Sequence, residues 1–216
     1  LGIRYIISNE EMWASNLSLC EQTMNKYVYE NQQNLALGYM VNPTLEQWKI
    51  VEGDPFVTQN DFVRLATDTQ EALFTPMTVS EPEVTGGMLT STGEDKYFYE
   101  RTADNGTLTW QLTFTEQQDV YIYFEASHCE KLKVTIDGET ETYSDKRGHI
   151  VHLGQCDAGK VVTLDFPMDN EYDTGNVKLQ MYAFNNNVFE SAYTQLADAQ
   201  LQVTDYDSTH VTGSIQ

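Results

Sequence analysis

The chain has 216 residues and a net charge of −21, from 12 basic and 33 acidic side chains, and it contains 13 tyrosines. A field of that sign repels polyanions, which excludes nucleic acid and anionic lipid headgroups as partners. The hydrophobic content of 40% is ordinary for a folded domain, and no apolar run approaches the roughly 18 residues of a membrane span.

Three β-prone runs open the chain. They are IRYIIS (3–8), KYVYE (26–30) and LALGYMV (35–41). Their isoleucine, valine and tyrosine content is typical of strands. Because the first run begins almost at the first residue and no signal peptide precedes it, we expect the chain to be a piece of a longer protein.

A helix is predicted within residues 53–68, GDPFVTQNDFVRLATD. Pro55 suits the first turn of a helix, and Thr58 with Asp61 forms a pair that resembles a capping box. Together with the three strands, this helix predicts a small α+β unit over residues 1–75.

Strict alternation of apolar and polar residues begins near Pro76. It is clearest in TLTWQLTFT (107–115), DVYIYFEAS (119–127), KLKVTIDG (131–138), KVVTLDFPM (160–168) and NVKLQMYAF (176–184). Such segments predict strands with one buried and one wet face, and the Asp137-Gly138 pair predicts a tight hairpin turn. The fold class is therefore mainly β, with an antiparallel β-sandwich or jelly roll over residues 76–185.

The end of the chain returns to mixed patterns. VFESAYTQLADAQ (188–200) has apolar residues at helical spacing, and LQVTDYDSTHVTGSIQ (201–216) predicts two strands around an Asp-Ser turn. We expect a C-terminal helix and strands over residues 186–216 that lead into a following domain.

Four segments follow one another in a characteristic order. They are LGIRYIIS (1–8), YENQQNLALGYMVN (29–42), DPFVTQNDFVRLATD (54–68) and QMYAFNNNVFESAYTQLADAQLQVTDYDSTHVTGSI (180–215). In order and spacing they resemble the extracytoplasmic C-terminal region of YfhO-type bacterial membrane proteins. The resemblance is densest at the two ends of the chain, and the sandwich matches only in pattern.

The resemblance implies a location and a parent activity. YfhO-type proteins resemble GT-C-type glycosyltransferases, which have many membrane helices and use a lipid-linked sugar donor on the outer face. Some are implicated in decorating teichoic acids of Gram-positive walls. The implied location is the outer face of the bacterial membrane, with the membrane-spanning portion of the same chain as a partner. The catalytic region of the family has no counterpart here, so we expect no catalytic residue and no cofactor.

The string YENQQNLALGYMVN carries no evident chemistry, and the resemblance gives it a structural role. We expect Tyr29 and Asn31 to hold a turn through side-chain bonds to the backbone. Leu35, Leu37, Tyr39 and Val41 would then occupy alternate positions of one strand.

Two tyrosines supply the candidate ligand site. Tyr121 and Tyr123 share the wet face of one predicted strand, and Lys133 lies on the corresponding face of the next. Aromatic rings beside hydrogen-bonding groups can hold a sugar ring. The favoured alternative is that the N-terminal unit or a following domain covers these tyrosines.

One loop gathers carboxylates at alternate positions, namely Asp165, Asp169, Glu171 and Asp173. Carboxylate oxygens are the ligands that a hard cation such as Ca²⁺ prefers. The spacing departs from that of an EF-hand, so an exposed acidic loop is the favoured interpretation over a metal site.

The cysteines and histidines form no recognisable motif. Three cysteines are too few for a zinc site. Cys129 and Cys156 lie in predicted turns, so a disulfide between them stays open beside the favoured alternative of three free thiols. His149 and His152 are three apart on a predicted strand and should point to opposite faces.

Two functions fit these observations. The first is a non-catalytic outer-face domain of a membrane glycosyltransferase, which helps to position the acceptor or to stabilise the assembly. The alternative is a stand-alone secreted carbohydrate-binding module. In both cases the charge of −21 predicts recognition of a glycan or of a neighbouring domain, rather than of an anionic polymer backbone.

Overall fold

The computed structural model describes residues 2–9, 11–12, 16–36, 38–144, 147–206 and 209–215. The first half of the chain contains β1 (Tyr5–Ser8), β2 (Leu17–Thr23), β3 (Lys26–Asn31), a 3₁₀ helix (Pro43–Gln47), α1 (Pro55–Ala66), β4 (Phe74–Met77), β5 (Glu83–Thr85), β6 (Gly87–Gly93) and β7 (Lys96–Arg101). The second half contains β8 (Thr107–Thr113), β9 (Gln118–Ser127), β10 (Leu132–Ile136), β11 (Glu139–Tyr143), β12 (Arg147–Cys156), β13 (Val161–Pro167), β14 (Thr174–Phe184), α2 (Asn186–Asp198), β15 (Leu201–Tyr206) and β16 (Val211–Ile215). The fold is mainly β and antiparallel, as the sequence predicts.

The chain divides into two compact units. The first contains residues 1–48, 61–71 and 186–216, and the second contains residues 49–60 and 72–185. The division differs from the three predicted segments in two ways. Residues 49–60 group with the sandwich, and the C-terminal helix and hairpin group with the N-terminal strands. Side-chain bonds such as that from Tyr182 to Asp54 join residues 49–60 to the sandwich. Backbone bonds such as that between Met40 and Ala199 join the C-terminal segment to the N-terminal one.

In the first unit, three antiparallel strands pair in the order β1-β3-β2. Asn31 closes the turn after β3, as predicted: its Oδ1 accepts from the Gln33 amide at 3.0 Å, and its Nδ2 donates to the Ile3 carbonyl at 2.9 Å. The buried Tyr29 hydroxyl accepts from the Met12 amide at 2.9 Å. The side chains of Tyr29 and Asn31 therefore hold the neighbouring backbone in place. This gives both residues of the YENQQN segment a structural role.

The predicted strand at residues 35–41 is wrong. Leu37 lies outside the described residues, and among the described residues of this segment the strand pairing is limited to an isolated bridge between Tyr39 and Gln200. The Ala36 amide donates to Gln200 Oε1 at 2.6 Å, and the Leu201 amide donates to the Gly38 carbonyl at 2.8 Å. A strand needs a continuous partner, and this segment instead meets the short stretch that links α2 to β15.

The second unit contains two sheets. One has six strands in the order β12-β9-β14-β7-β6 with β4 also paired to β14, and the other has five in the order β11-β10-β13-β8-β5. Their inner faces share one core, whose fully buried members include Leu108, Trp110, Val120, Ile122, Phe124, Leu132, Val162, Leu164 and Phe166. The predicted β-sandwich is confirmed, and its strands bury the faces that the alternation assigned.

Helix α1 begins at Pro55 within the predicted segment, but its cap is not the predicted pair. Asp54 Oδ1 accepts from the Val57 amide at 3.0 Å, which makes Asp54 the N-cap. Thr58 Oγ1 instead donates to the Asp54 carbonyl at 2.9 Å, one turn back. The capping prediction from Thr58 and Asp61 is wrong because the helix starts one turn earlier than that pair requires.

The Asp137-Gly138 turn provides a stability test. Both residues have positive φ, 53° and 87°, and they join β10 to β11 as a two-residue hairpin. We expect Gly138→Ala to lower the free energy of unfolding by about 1 kcal/mol, since a Cβ is disfavoured at positive φ even though it meets no neighbour here. Urea denaturation measures the change.

Gly93→Ala is the matched control. A Cβ at Gly93 also meets no atom within 4 Å, and its φ lies outside the left-handed region. This substitution should leave stability unchanged or raise it by a few tenths of a kcal/mol. An equal loss in both variants would contradict the assigned turn.

Candidate functional site

The predicted tyrosine platform is covered. Tyr121 and Tyr123 both lie on the outer face of the six-stranded sheet, but Tyr123 is only 8% exposed. The Tyr121 ring is half-buried, stacked on His152 with centroids 4.2 Å apart and edge-on to Phe74 at 5.6 Å. The expectation that both rings face water is wrong, and the alternative of a covered pair describes the structure.

Lys133 does not join the two tyrosines. It lies on β10, in the five-stranded sheet, opposite Thr142 on one side and Asp165 on the other. The chain crosses from one sheet to the other between β9 and β10, so consecutive strands are not neighbours here. The assumption that adjacent strands in sequence share a face is therefore wrong for this pair.

Three of the four carboxylates of the predicted acidic loop make separate contacts. Asp165 accepts from Thr109 Oγ1 at 2.7 Å, Asp169 accepts from the Glu171 amide at 3.0 Å, and Asp173 lies 3.3 Å from Arg101. Within the described ranges, no three His, Cys, Asp or Glu side chains lie close enough together to hold a metal ion.

None of the three cysteines forms a disulfide. Cys129 and Cys156 are fully buried, whereas Cys20 is exposed on β2. The disulfide that the sequence left open between Cys129 and Cys156 is absent. Burial raises the pKa of the Cys156 thiol, which keeps it protonated and unreactive.

A cleft of about 540 Å³ lies on the same sheet as the tyrosines, at the other end of its outer face. Its lining comprises Thr92, Lys96, Tyr97, Glu125, Ala126, Ser127, Asn176, Val177 and Lys178. The volume falls within the range of small-molecule sites. It is the candidate functional site, and it is called the β7-β14-β9 cleft below.

Strand register places the polar side chains of the cleft in two rows. Lys178 on β14 lies directly opposite Lys96 on β7 and Glu125 on β9. Two residues along, Asn176 lies opposite Ser127. Each row crosses neighbouring strands, which lie about 4.8 Å apart, so the side chains form a fixed grid.

A hydrogen-bonded network closes one end of the cleft. Lys178 Nζ donates to the Gly53 carbonyl and lies 5.4 Å from the centre of the Tyr123 ring. The Tyr123 hydroxyl donates to Glu125 Oε1. These contacts hold Lys178 and Glu125 in place and tie residues 49–60 to the sheet within the second unit.

The network continues through Asp54. Its Oδ2 accepts from the Tyr182 hydroxyl at 3.2 Å and from Gln180 Nε2 at 3.3 Å, while Oδ1 caps α1. Burial, followed by the charge of Asp54, raises the pKa of Tyr182 to about 12. Burial and the bond to Glu125 do the same for Tyr123. Both hydroxyls are therefore protonated donors at neutral pH.

Lys96 is the one lysine of the cleft that stays open to a ligand. It is exposed, and within the described part of the chain its Nζ has no hydrogen-bond or ion-pair partner. The sequence alone did not predict the cleft, because its floor is formed by residues 96, 125–127 and 176–178. These lie on three strands, β7, β9 and β14, that are far apart in the chain. A lysine and a glutamate in outward positions of separate strands give no local signal of such a grid.

Comparison with protein families gives one match. A family model described as "Bacterial membrane protein YfhO" matches residues 1–216, the whole chain. No curated protein matches the chain. In the part of the chain that the structure describes, no helix has both the length and the hydrophobicity to cross a membrane.

Solved structures resemble about half of the chain at low identity. The insecticidal crystal protein Cry2Aa is 17% identical with a TM-score of 0.34, over 49% of this chain and 20% of its own length. A family 35 carbohydrate-binding module from Clostridium thermocellum is 11% identical with a TM-score of 0.34, over 50% of this chain and 97% of its own. The low-affinity xylan-binding module CBM86 from Roseburia intestinalis is 10% identical with a TM-score of 0.36, over 54% and 99%.

The carboxyl group of Asp95, beside the cleft, gives a pH-dependent prediction. Burial and the charge of Glu94 raise its pKa, against the opposing effect of Lys178. The ionised form therefore opposes folding. Asp95→Asn should raise the urea midpoint at neutral pH, and Asn suits the positive φ of 59° at this position.

The gain should shrink with acidity. Below the ordinary aspartate pKa of 3.8 both folded and unfolded Asp95 are protonated, so the variant should match the wild-type chain there. Asp104→Asn is the control, because that side chain is 86% exposed and its surface ion pair contributes little. A midpoint difference for Asp95→Asn that stays constant from acid to neutral pH would contradict the assignment.

Proposed function

The chain belongs to the YfhO family of bacterial membrane proteins, and from that premise we propose that it is a non-catalytic, extracytoplasmic domain of a multi-span membrane glycosyltransferase. In this role it helps to position the acceptor, or to stabilise the assembly, during glycosylation of a cell-wall polymer such as teichoic acid. The sequence resemblance supports the location on the outer face and the wall polymer.

The composition of the β7-β14-β9 cleft carries the non-catalytic part of the proposal. Glycoside hydrolysis generally uses two carboxyl groups that flank the scissile bond. Only one carboxylate, Glu125, is among the residues that line this cleft, and it already accepts from the Tyr123 hydroxyl. Ser127 Oγ accepts a hydrogen bond from the backbone amide of Asn176 at 3.0 Å. A backbone amide is a donor, so it cannot act as a general base for the Ser127 hydroxyl. The cleft offers groups that bind rather than groups that react.

The charge of the chain supports recognition of a sugar or of a neighbouring domain. At −21 the domain repels a polyphosphate backbone over about one Debye length, roughly 8 Å at physiological salt. The alternative of a stand-alone secreted carbohydrate-binding module shares the binding role. The match to a membrane protein family over the whole chain favours the membrane-attached version.

Excision of the sandwich from the full-length protein tests the role. The Asn185 amide donates to the Leu73 carbonyl at 2.9 Å, so a short Gly/Ser linker can join these two ends once residues 74–184 are removed. Phe56→Ser is included, because Phe74 and Tyr182, which cover Phe56, are then absent. We expect wall-polymer glycosylation in the host bacterium to fall while the protein stays in the membrane. Immunoblotting of membranes and sugar analysis of purified wall polymer measure both.

The control inserts the same linker into the exposed Asp137-Gly138 turn of the intact protein, where glycosylation should persist. If excision leaves glycosylation at the level of this control, the proposed role is wrong.

Cys20 provides a test of the location. It is exposed, and the other two thiols of this chain are fully buried. We expect a membrane-impermeant maleimide to label the full-length protein in intact cells at Cys20. Mass spectrometry of the labelled peptide gives the result.

Cys20→Ser is the control and should remove that label. Labelling of Cys20 that appears only after the cells are lysed would place the domain on the inner side and overturn the proposed location.

A further inference from the structure

We propose that the β7-β14-β9 cleft is a binding site for an uncharged saccharide, held by Lys96, Glu125, Ser127 and Asn176. The inference deepens the proposed function and rests on it, since it gives the domain a ligand class through which it would position an acceptor.

The cleft presents fixed donors and fixed acceptors side by side. Lys96 can only donate and a carboxylate such as that of Glu125 can only accept, whereas Ser127 and Asn176 can do both. A ligand that contacts all of these groups must therefore carry both acceptors and donors, spread over the width of two or three neighbouring strands. Hydroxyl groups do both at one atom, and a pyranose ring carries several of them in a rigid arrangement. This match favours a saccharide.

The balance of charge favours an uncharged ligand. Lys96 and Lys178 lie directly opposite each other, a pairing that is unfavourable without compensation. Glu125 and Asp95 supply two negative charges beside them, and Lys178 interacts with Asp95. The lining side chains include two lysines and one glutamate, and the carboxylates of Glu94 and Asp95 adjoin them, so the cleft carries little net charge within a chain of −21. An anion would meet Glu125 and the field of the chain, and a cation would meet the two lysines.

The place of the cleft argues against a peptide strand as ligand. Peptides that extend a sheet bind through unpaired backbone groups at its edge. Here the two rows lie on the face of β7, β14 and β9, and β14 pairs on both sides with its neighbours. The groups available are side chains, which suits recognition of hydroxyls.

The test uses the full 216-residue chain. ¹H–¹⁵N NMR spectra are recorded with neutral oligosaccharides of glucose, galactose, mannose and N-acetylhexosamine at millimolar concentration, and with glucuronate and glucose 6-phosphate as anionic counterparts. We expect at least one neutral oligosaccharide to shift the amides of Lys96, Ser127 and Asn176, and the anionic sugars to bind more weakly. Titration gives the Kd.

Lys96→Ala and Asn176→Ala should each weaken that binding about tenfold, as expected for loss of a hydrogen bond to a charged or amide group. Lys133→Ala is the matched control: it removes the same charge from the outer face of the other sheet and should leave the Kd unchanged. Thermal unfolding confirms that all three variants fold.

Three results would overturn the inference. They are no binding by any neutral oligosaccharide, a Kd unaffected by Lys96→Ala and Asn176→Ala, or tighter binding of the anionic sugars. The excision experiment separates this failure from that of the proposed function: loss of glycosylation on excision, together with an empty cleft, leaves the domain's role intact and removes only its saccharide site.

Discussion

Trp110 lies fully buried between the two sheets of the sandwich, where its ring meets Tyr97 of the six-stranded sheet at 5.8 Å and Phe166 of its own sheet at 5.4 Å. Burial of such apolar faces provides most of the stability of a β-sandwich. Because side chains alternate along a strand, it also determines every outward position. Once Tyr97 and Val177 are buried, Lys96 and Lys178 must lie on the outer face. The grid of the cleft is thus a consequence of core packing.

The outer face of the six-stranded sheet is divided into two regions. At one end Phe56, which is fully buried, packs on Tyr182 with ring centroids 4.4 Å apart and on Phe74 at 4.8 Å. At the other end the face is polar and open. The two regions meet where Lys178 lies over the Tyr123 ring and donates to Gly53. One covered, apolar region and one open, polar region allow a single sheet to anchor residues 49–60 and to present a ligand site.

The tyrosines of β9 show why a correct strand can yield an incorrect site. The alternation that places Tyr121 and Tyr123 outward is real, but outward does not mean exposed. Phe74 comes from β4, nearly fifty residues earlier in the chain, and covers Tyr121. Lys133 illustrates a second failure of the same kind, since its strand belongs to the other sheet. The identity of a strand's neighbours depends on the topology, which alternation does not contain.

The sequence by itself determined the fold class, five of the eleven sandwich strands, both helices, the Asp137-Gly138 turn and the family, because these depend on local periodicity, turn chemistry and ordered motifs. It did not reveal β2, β4–β7, β11 or β12, whose alternation is weaker or whose length is short. Only the tertiary structure decided that Asp54 bonds Tyr182, and that Lys96, Glu125 and Asn176 share one cleft. The physical reason is that these contacts join residues 30 to 130 positions apart, through strand pairings and core packing that form only when the whole sandwich assembles.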